Sequence, residues 1–252
     1  MRRVALVLTM AAAVAFAGPP KERFLHELKL DSQVQGEARW DQVQLVVELE
    51  AGASNPLFVL RRGLRAEGGV VTLRSLSEAV VKDAVLPRHR ADSWVMDFKE
   101  PIFTALWAEV QKQAGNKPSV ADLVAFTGLH VSKKSLGRGF DLASKVAATR
   151  EGDCSEHAVL LAALLRHYGF PARVMLGTVL VNFNGAPAAF GHAWVETFAK
   201  GAWKTADAIL PSDLDVHYLP SAELTDEGPG FGASLVPAVQ GLRFKRLMLK
   251  AR

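Results

Sequence analysis

The sequence contains very little cysteine: Cys154 is the single one among 252 residues. One thiol excludes an internal disulfide. An unpaired thiol is also a chemical liability in an oxidising compartment, so an exported chain needs a reason to keep it. The scarcity of cysteine therefore directs attention to the surroundings of Cys154.

The chain also lacks a strong excess of one charge. Its 30 lysines and arginines against 26 acidic residues give a net charge of +4, which falls to +2 without Arg2 and Arg3. So small an excess does not predict a nucleic-acid partner. There is no dense Asp/Glu loop of the calcium-binding type, and we expect neither a metal nor another cofactor.

The apolar run near the N-terminus, residues 4–16, is shorter than the ~20 residues that span a bilayer. It follows Arg2 and Arg3 and ends in Ala15-Phe16-Ala17, a small-x-small cleavage pattern. Residues 1–17 therefore predict a secretory signal peptide and a periplasmic or secreted protein without a membrane span. A membrane anchor is the alternative.

Residues 18–98 are rich in strand-like patterns. Apolar runs with partial alternation, separated by Gly, Asn and Pro, occur at residues 24–30, 42–49, 70–73 and 94–98. They carry no cluster of chemically reactive side chains. We predict a β-rich N-terminal domain at 18–98 that packs on the core or binds a partner, and a second domain at 99–252.

From residue 99 onward the apolar spacing becomes helical. It predicts helices over residues 101–113, 119–126 and 140–148. Asp153 then suits an N-cap, Cys154 the first turn, and residues 158–165 are apolar on every side, which predicts a fully buried helix. The positive end of the helix dipole favours a thiolate at Cys154.

Three strands are predicted after this helix, at residues 172–181, 188–199 and 203–209. A hairpin would place His192 and Asp207 side by side on one face of the sheet. We therefore predict an α+β fold in which Cys154 lies on a helix packed against an antiparallel sheet. Cys154, His192 and Asp207 are the predicted catalytic residues, since acyl transfer needs a thiolate, an imidazole that carries a proton and a carboxylate that orients it.

Three blocks carry a family resemblance: GDCSEHAVLLAALLRHYGFPARVMLG, GHAWVE and WKTADA. In order and spacing they resemble the transglutaminase-like superfamily, in particular its bacterial exported members, over about residues 98–219. Cys154 and His192 are 38 positions apart, and His192 and Asp207 are 15 apart. The resemblance implies a papain-like core in which Cys154, His192 and Asp207 are nucleophile, acid/base and orienting residue.

The resemblance also implies a reaction class. It implies a cysteine enzyme that performs acyl transfer or hydrolysis at amide bonds of protein or peptide substrates through a thioester. A peptidase, a deamidase and a transglutaminase all fit this class, because the outcome depends on whether water or an amine reaches the thioester. Calcium activation, known among animal members, is not carried over.

One departure from the family keeps an alternative open. Several members use an indole or amide side chain upstream of the cysteine to stabilise the oxyanion, but residues 131–153 contain neither Trp nor Gln. The backbone N–H of Cys154 is one available donor. Loss of a donor typically costs about 10²–10³ in rate. The alternative function is a non-catalytic binding module whose cleft holds a peptide or an envelope partner.

His157 and Trp194 are further candidates, for substrate binding. His157 follows Cys154 by three residues and so shares its helical face. With His192 and Asp207 these two residues also contain the donor types of a zinc site, which is an alternative to the triad. Trp194 is equally explained as a core residue or a pocket wall.

Two basic segments complete the analysis. Residues 132–139 are basic and glycine-punctuated, which predicts either a solvated connector or a flexible lip beside the site. Residues 236–250 predict one or two terminal strands. Their four cations make either a solvated face or a surface attracted to an anionic envelope: Arg243, Lys245, Arg246 and Lys250.

Overall fold

The computed structural model describes residues 27–28, 30–32, 43–49, 65–67, 70–73, 81–135, 140–183, 186–210, 216–225 and 244–251. The helices are α1 Ile102–Ala114, α2 Val120–His130, α3 Ala143–Thr149 and α4 Cys154–His167. The strands are β1 Glu27–Leu28, β2 Leu30–Ser32, β3 Val43–Leu49, β4 Arg65–Glu67, β5 Val70–Leu73, β6 Lys133–Lys134, β7 Glu151–Gly152, β8 Ala172–Phe183, β9 Ala186–Ala199, β10 Ala202–Ala206, β11 Val216–Glu223 and β12 Phe244–Ala251.

The predicted signal peptide, residues 1–17, lies outside the described residues, as do residues 136–139 of the basic loop. In the part of the chain that is described, no helix is both long enough and apolar enough to cross a bilayer.

An antiparallel sheet supports the helices. Strand β8 pairs with β9 along its whole length, and β11 pairs with the other side of β8. Strands β1 and β10 share the outer edge of β9, where β1 pairs at Ala189 and Phe190 and β10 pairs from Val195 to Ala199. His192 lies on β9 between these two pairings. The sheet thus presents this histidine where the neighbouring strand changes.

Helix α4 begins where the sequence predicts it. The Asp153 side chain accepts a 3.0 Å hydrogen bond from the Ser155 amide, and Glu156 accepts one of 3.0 Å from the Asp153 amide. This reciprocal capping box supplies acceptors that a helix start otherwise lacks. At the other end the chain turns away through Gly169, with φ of 85°. The predicted N-cap and the first-turn position of Cys154 are confirmed.

The body of α4 is buried on all sides, as predicted. Residues 158–165 are each at most 3% exposed. One side of the helix packs on β8 and β9, and α2 and α3 pack against it as well. Burial of each large apolar side chain contributes about 1.5–3 kcal/mol, so the helix that carries the thiol is anchored by the core itself.

Most predicted elements of this region are confirmed with shifted ends. The helices predicted at 101–113, 119–126 and 140–148 correspond to α1, α2 and α3, and the strands predicted at 172–181 and 188–199 correspond to β8 and β9. The mixture of helices with an antiparallel sheet confirms the α+β class.

The prediction of a strand at residues 94–98 is wrong. These residues form turns, in which the Met96 amide donates a 3.2 Å hydrogen bond to the Ser93 hydroxyl. The side chains of Val95 and Met96 are fully buried in the same core as α4. Their apolar character therefore reflects burial among the helices instead of pairing in a sheet.

The strand predicted at residues 203–209 is shorter than expected. It is β10, which ends at Ala206. Beyond that point the Asp207 carboxylate accepts hydrogen bonds from the amides of Ile209 (2.8 Å) and Leu210 (3.1 Å). These contacts curl the chain into a turn and stop its pairing with β9.

A second sheet contains the strands predicted near both ends of the chain. Its order is β2-β12-β3-β5-β4, in which β12 pairs antiparallel with β3 and parallel with β2. Strands β3 and β5 confirm the predictions at residues 42–49 and 70–73, and β12 lies within the predicted terminal segment 236–250 apart from its last residue. The division into domains at residue 98 stays a prediction.

Candidate active site

Cys154 occupies the first position of α4 and is partly exposed. Its side chain packs against two apolar clusters, the helical core on one side and a smaller cluster on the sheet on the other. The smaller cluster consists of Val179, Val181, Phe190, Ile209 and Leu210. Cys154 therefore lies at the boundary between helix and sheet and is only partly buried.

The sheet brings the predicted partners to this seam. Nε2 of His192 lies 2.7 Å from Oδ2 of Asp207, although the residues are 15 positions apart. The Cys154 side chain is also close enough to the His192 ring to interact with it electrostatically. Because Nε2 is engaged by Asp207, a contact of the ring with the sulfur would have to use Nδ1. The three predicted catalytic residues thus lie in a row, with the imidazole in the middle.

Asp207 is fixed by more contacts than the sequence suggested. Its Oδ2 also accepts a 2.9 Å hydrogen bond from the hydroxyl of Tyr218 on β11. Its Oδ1 accepts the amides of Ile209 and Leu210. Tyr218 was not predicted as a site residue, although it lies within residues 98–219, the range of the family resemblance.

The charges of this pair support one another. Burial by itself disfavours a charged imidazole, yet the charge and hydrogen bond of Asp207, together with Cys154, raise the pKa of His192 to about 10. Burial raises the pKa of Asp207, but the His192 charge and the hydrogen bonds to the carboxylate outweigh it and leave the pKa below its ordinary value. An imidazolium beside the sulfur favours the nucleophilic thiolate.

The first turn of α4 leaves one amide for a ligand. The amide of Asp153 donates to Glu156, and the amides of Ser155, Glu156 and His157 all donate to Asp153. Among the described residues, no acceptor is present for the amide of Cys154. This N–H therefore points from the positive end of the helix with its hydrogen-bonding capacity unused.

Glu156 ties several segments together below the thiol. It is fully buried and accepts hydrogen bonds of 3.0 Å from the amides of Asp153 and Asp141 and from the Ser155 hydroxyl. Burial and the neighbouring Asp153 carboxyl raise the pKa of Glu156 to about 7. Gly152 makes room for it, since a Cβ there would collide with Cβ and Cγ of Glu156.

His157 is buried one turn beyond Cys154. Its Nδ1 lies 2.6 Å from the Asp153 carbonyl oxygen, and its Nε2 lies 3.2 Å from Nζ of Lys134. Burial, and next the positive charge of Lys134, lower the pKa of His157 to about 4. The assignment of His157 to substrate binding stays a prediction.

Trp194 lies behind His192 instead of facing solvent. It is 1% exposed, its ring stacks on His192 at 6.2 Å between centroids, and it packs on Tyr218 at 5.1 Å. The absence of a side chain at Gly177 leaves space for the indole. This position suits a residue that supports the imidazole. The predicted substrate-binding role would require the indole to become exposed.

The zinc alternative lacks its geometry. Across the part of the chain that the structure describes, no three His, Cys, Asp or Glu side chains are grouped so that they could hold a metal ion. The four donors of that alternative, Cys154, His157, His192 and Asp207, are described residues and are included in this finding.

Comparison with known proteins gives one match to a family profile and distant similarities to solved structures. Residues 113–208 match the profile of the transglutaminase-like superfamily. No curated protein sequence matches the chain. The periplasmic domain of TgpA from Pseudomonas aeruginosa is 18% identical with a TM-score of 0.39, over 90% of this chain and 88% of that one. A provisionally assigned cysteine protease from Cytophaga hutchinsonii is 15% identical with a TM-score of 0.37, over 86% and 82%.

Proposed function

We propose that this chain, whose residues 113–208 belong to the transglutaminase-like superfamily, is a cysteine-dependent acyltransferase or amidohydrolase acting on protein or peptide amides. The observation that carries the proposal is the position of His192 between the Cys154 thiol and the Asp207 carboxylate. The predicted export signal would place this activity in the periplasm or outside the cell.

In the first half of the reaction, the Cys154 thiolate attacks the carbonyl carbon of a carboxamide or peptide bond. A new C–S bond forms and the carbonyl π electrons move to the oxygen. His192, which holds the proton that the thiol has given up, donates it to the departing nitrogen as the C–N bond breaks. Ammonia or an amine leaves, and the acyl group remains on Cys154 as a thioester.

In the second half, water or an amine attacks the thioester. His192 accepts a proton from the attacking group, the C–S bond breaks, and the thiolate is restored as the acid or the new amide departs. Asp207 keeps the imidazole oriented and balances its positive charge in both halves. Water gives hydrolysis or deamidation, whereas a lysine amine gives a crosslink.

The oxyanion of each tetrahedral intermediate needs hydrogen-bond donors. The Cys154 amide is suited to this role, because the neighbouring amides of the first turn already donate to Asp153 and Glu156. Because this amide lies at the start of α4, the positive end of the helix dipole also stabilises a negative charge on the oxygen. Residues 131–153 contain no Trp or Gln that could donate to the oxyanion, so the Cys154 amide is the donor that we assign.

Thiol labelling tests the chemistry without knowledge of the substrate. We expect iodoacetamide at pH 6 to alkylate Cys154 at least ten times faster than it alkylates a free cysteine, and His192→Ala to abolish the difference. Labelling at the rate of an ordinary thiol would contradict a catalytic pair and favour the binding module.

Substrate profiling then separates the outcomes. Glutamine-containing peptides are incubated with the mature chain, with and without a primary amine, and ammonia release, amine incorporation and peptide cleavage are measured. Cys154→Ala is the control. If the parent is active, undiminished turnover by this variant would refute the mechanism.

A further inference from the structure

The segment that carries Lys134 runs beside the nucleophile. Strand β6 pairs in parallel with β7, with Lys134 opposite Gly152, and β7 ends two residues before Cys154. This places the described part of the basic loop, residues 132–135, against the chain that leads into α4. Of the two predictions for this loop, its position favours a lip beside the site.

Contacts of His157 fix the position of the Lys134 ammonium. The Asp153 carbonyl oxygen can only accept, so Nδ1 of His157, 2.6 Å away, carries a proton and donates. The ring is neutral around pH 7, so its Nε2 has no proton and accepts from Nζ of Lys134 at 3.2 Å. The buried imidazole is thus an acceptor that holds one end of an exposed lysine.

The ammonium lies on the triad side of α4. His157 and Cys154 are three residues apart on one helical face, which places their Cβ atoms about 5–6 Å apart. The charge of Asp207 also acts on His157, as expected if the ring lies near the triad carboxylate. Lys134 therefore brings a positive charge to within on the order of 10 Å of the sulfur, on a side chain that solvent reaches.

We propose that Lys134 is a specificity-determining residue that attracts a carboxylate of the substrate close to the reacting amide. The inference rests on the proposed function for its substrate, and it adds the class: peptides with an acidic side chain, or a free C-terminal carboxylate, near the amide that Cys154 attacks. His157 is the positioning residue that holds the lysine.

The expected effect is moderate. A unit charge about 10 Å from the reaction centre, in an environment between protein and water, changes the free energy of an approaching anion by an amount equivalent to about two- to fivefold in rate. Salt should weaken the effect, since the Debye length is about 10 Å at 0.1 M.

The first test measures alkylation of Cys154 and needs no substrate. Cys154 is alkylated at pH 8 with iodoacetate, an anion, and with iodoacetamide, its neutral analogue, and the ratio of the two rates is measured. We expect Lys134→Gln to lower this ratio two- to fivefold and Lys134→Arg to preserve it. The ratio can be read whether or not Cys154 is activated, so a failure of the proposed function does not obscure the result.

Lys99→Gln is the matched control. The Phe98 ring lies 6.1 Å from His167, at the far end of α4, so the exposed Lys99 is roughly the length of a 14-residue helix from the thiol, about 20 Å. We expect this variant to leave the ratio unchanged. An unaltered ratio in Lys134→Gln, or an equal fall in Lys99→Gln, would overturn the proposal.

The second test identifies the source of the carboxylate, with Cys154→Ala as the binding protein to avoid turnover. Three glutamine peptides are compared by calorimetry: one flanked by glutamate with an amidated C-terminus, one flanked by neutral residues with a free C-terminus, and one neutral and amidated. We expect one of the first two to bind more tightly than the third, and Lys134→Gln in this background to remove that preference. Equal affinity for all three, or a preference that survives the substitution, would overturn the proposal.

Discussion

The hydroxyl of Tyr218 donates a 2.9 Å hydrogen bond to Oδ2 of Asp207. The same oxygen lies 2.7 Å from the imidazole of His192, while Oδ1 is occupied by two backbone amides. The carboxylate is therefore held on every side and is not free to rotate away from the histidine. In this arrangement β11 contributes to the site although it carries none of the three reacting groups.

We expect Tyr218→Phe to lower kcat/KM about tenfold. A hydrogen bond to a charged group is worth about 1.5–3 kcal/mol. Without it Asp207 orients His192 less precisely, and we expect part of this energy to be lost from transition-state stabilisation. Steady-state kinetics across pH measure the effect. Tyr168→Phe is the control, because the buried Tyr168 hydroxyl has no hydrogen-bond partner among the described residues. Full activity of Tyr218→Phe at every pH would show that the contact is dispensable.

Asp207→Asn should be far more damaging than Tyr218→Phe. The asparagine oxygen can still accept the amides of Ile209 and Leu210, but the amide nitrogen then faces Nε2 of His192 and favours the wrong imidazole tautomer. We expect kcat to fall by on the order of 10²–10⁴ with little change in thermal stability, measured by single-turnover assays and calorimetry. A loss below tenfold would argue against the orienting role.

Gly152→Ala should disturb the start of α4. The new Cβ would occupy the space of the Glu156 side chain, which would have to release its contacts with the amides of Asp153 and Asp141. We expect a loss of about 1–3 kcal/mol in the free energy of unfolding and slower alkylation of Cys154.

A double-mutant cycle tests that explanation of the glycine. In the Glu156→Gly background both collision partners, Cβ and Cγ of Glu156, are gone, so the added cost of Gly152→Ala should fall to a few tenths of a kcal/mol. Denaturant unfolding of the four proteins gives the coupling. Costs that simply add would mean that Gly152 is required for another reason.

Local patterns in the sequence predicted the central part of this site. The N-cap at Asp153 and the apolar stretch after Cys154 depend on residues close together in the chain, and each of the three blocks is a short continuous segment. These features place Cys154 on α4 and His192 on β9, and both placements are confirmed.

Contacts between distant segments could not be predicted in the same way. Tyr218 reaches Asp207 because β11 pairs beyond β8, and Lys134 reaches His157 because β6 pairs with β7. No periodic pattern or motif in the sequence signals either contact. Residues 94–98 resembled a strand because burial in a helical core and burial in a sheet select the same apolar residues.

Glu156 should make stability depend on pH near neutrality. Its pKa is raised to about 7 from an ordinary value of 4.5, so the folded state holds the proton more tightly than the unfolded state. Its protonation therefore stabilises the fold fully below about pH 4.5, and this contribution is lost as pH rises through 7. The side chain introduced by Glu156→Gln cannot lose a proton there, so the free energy of unfolding of this variant minus that of the parent should increase by on the order of 1–3 kcal/mol from pH 5 to pH 8. A difference that does not change with pH, in denaturant titrations, would contradict this.

Glu223 should have the opposite dependence, far from the thiol. It accepts hydrogen bonds from Arg88 and His89 and pairs with the buried Arg173, so that it fastens the segment before α1 to β11. Burial raises its pKa, but these partners outweigh that effect and lower the pKa to about 2. The folded state thus releases the proton more readily than the unfolded state. Its contribution is present above about pH 4.5 and is lost as pH falls towards 2.

We therefore expect Glu223→Gln to cost about 1–3 kcal/mol in the free energy of unfolding at pH 7, because the His89 side chain, 1% exposed, loses its charged partner. Arg173 loses a weaker contact of 3.5 Å and keeps the Glu196 carboxylate at 2.7 Å. The deficit relative to the parent should shrink as pH falls from 4.5 to 2.5, measured by urea unfolding at each pH. Arg88→Gln is the control, since that side chain is 49% exposed and its ion pair should be worth under about 1 kcal/mol. A deficit that persists unchanged at pH 2.5 would show that the loss comes from packing instead of charge.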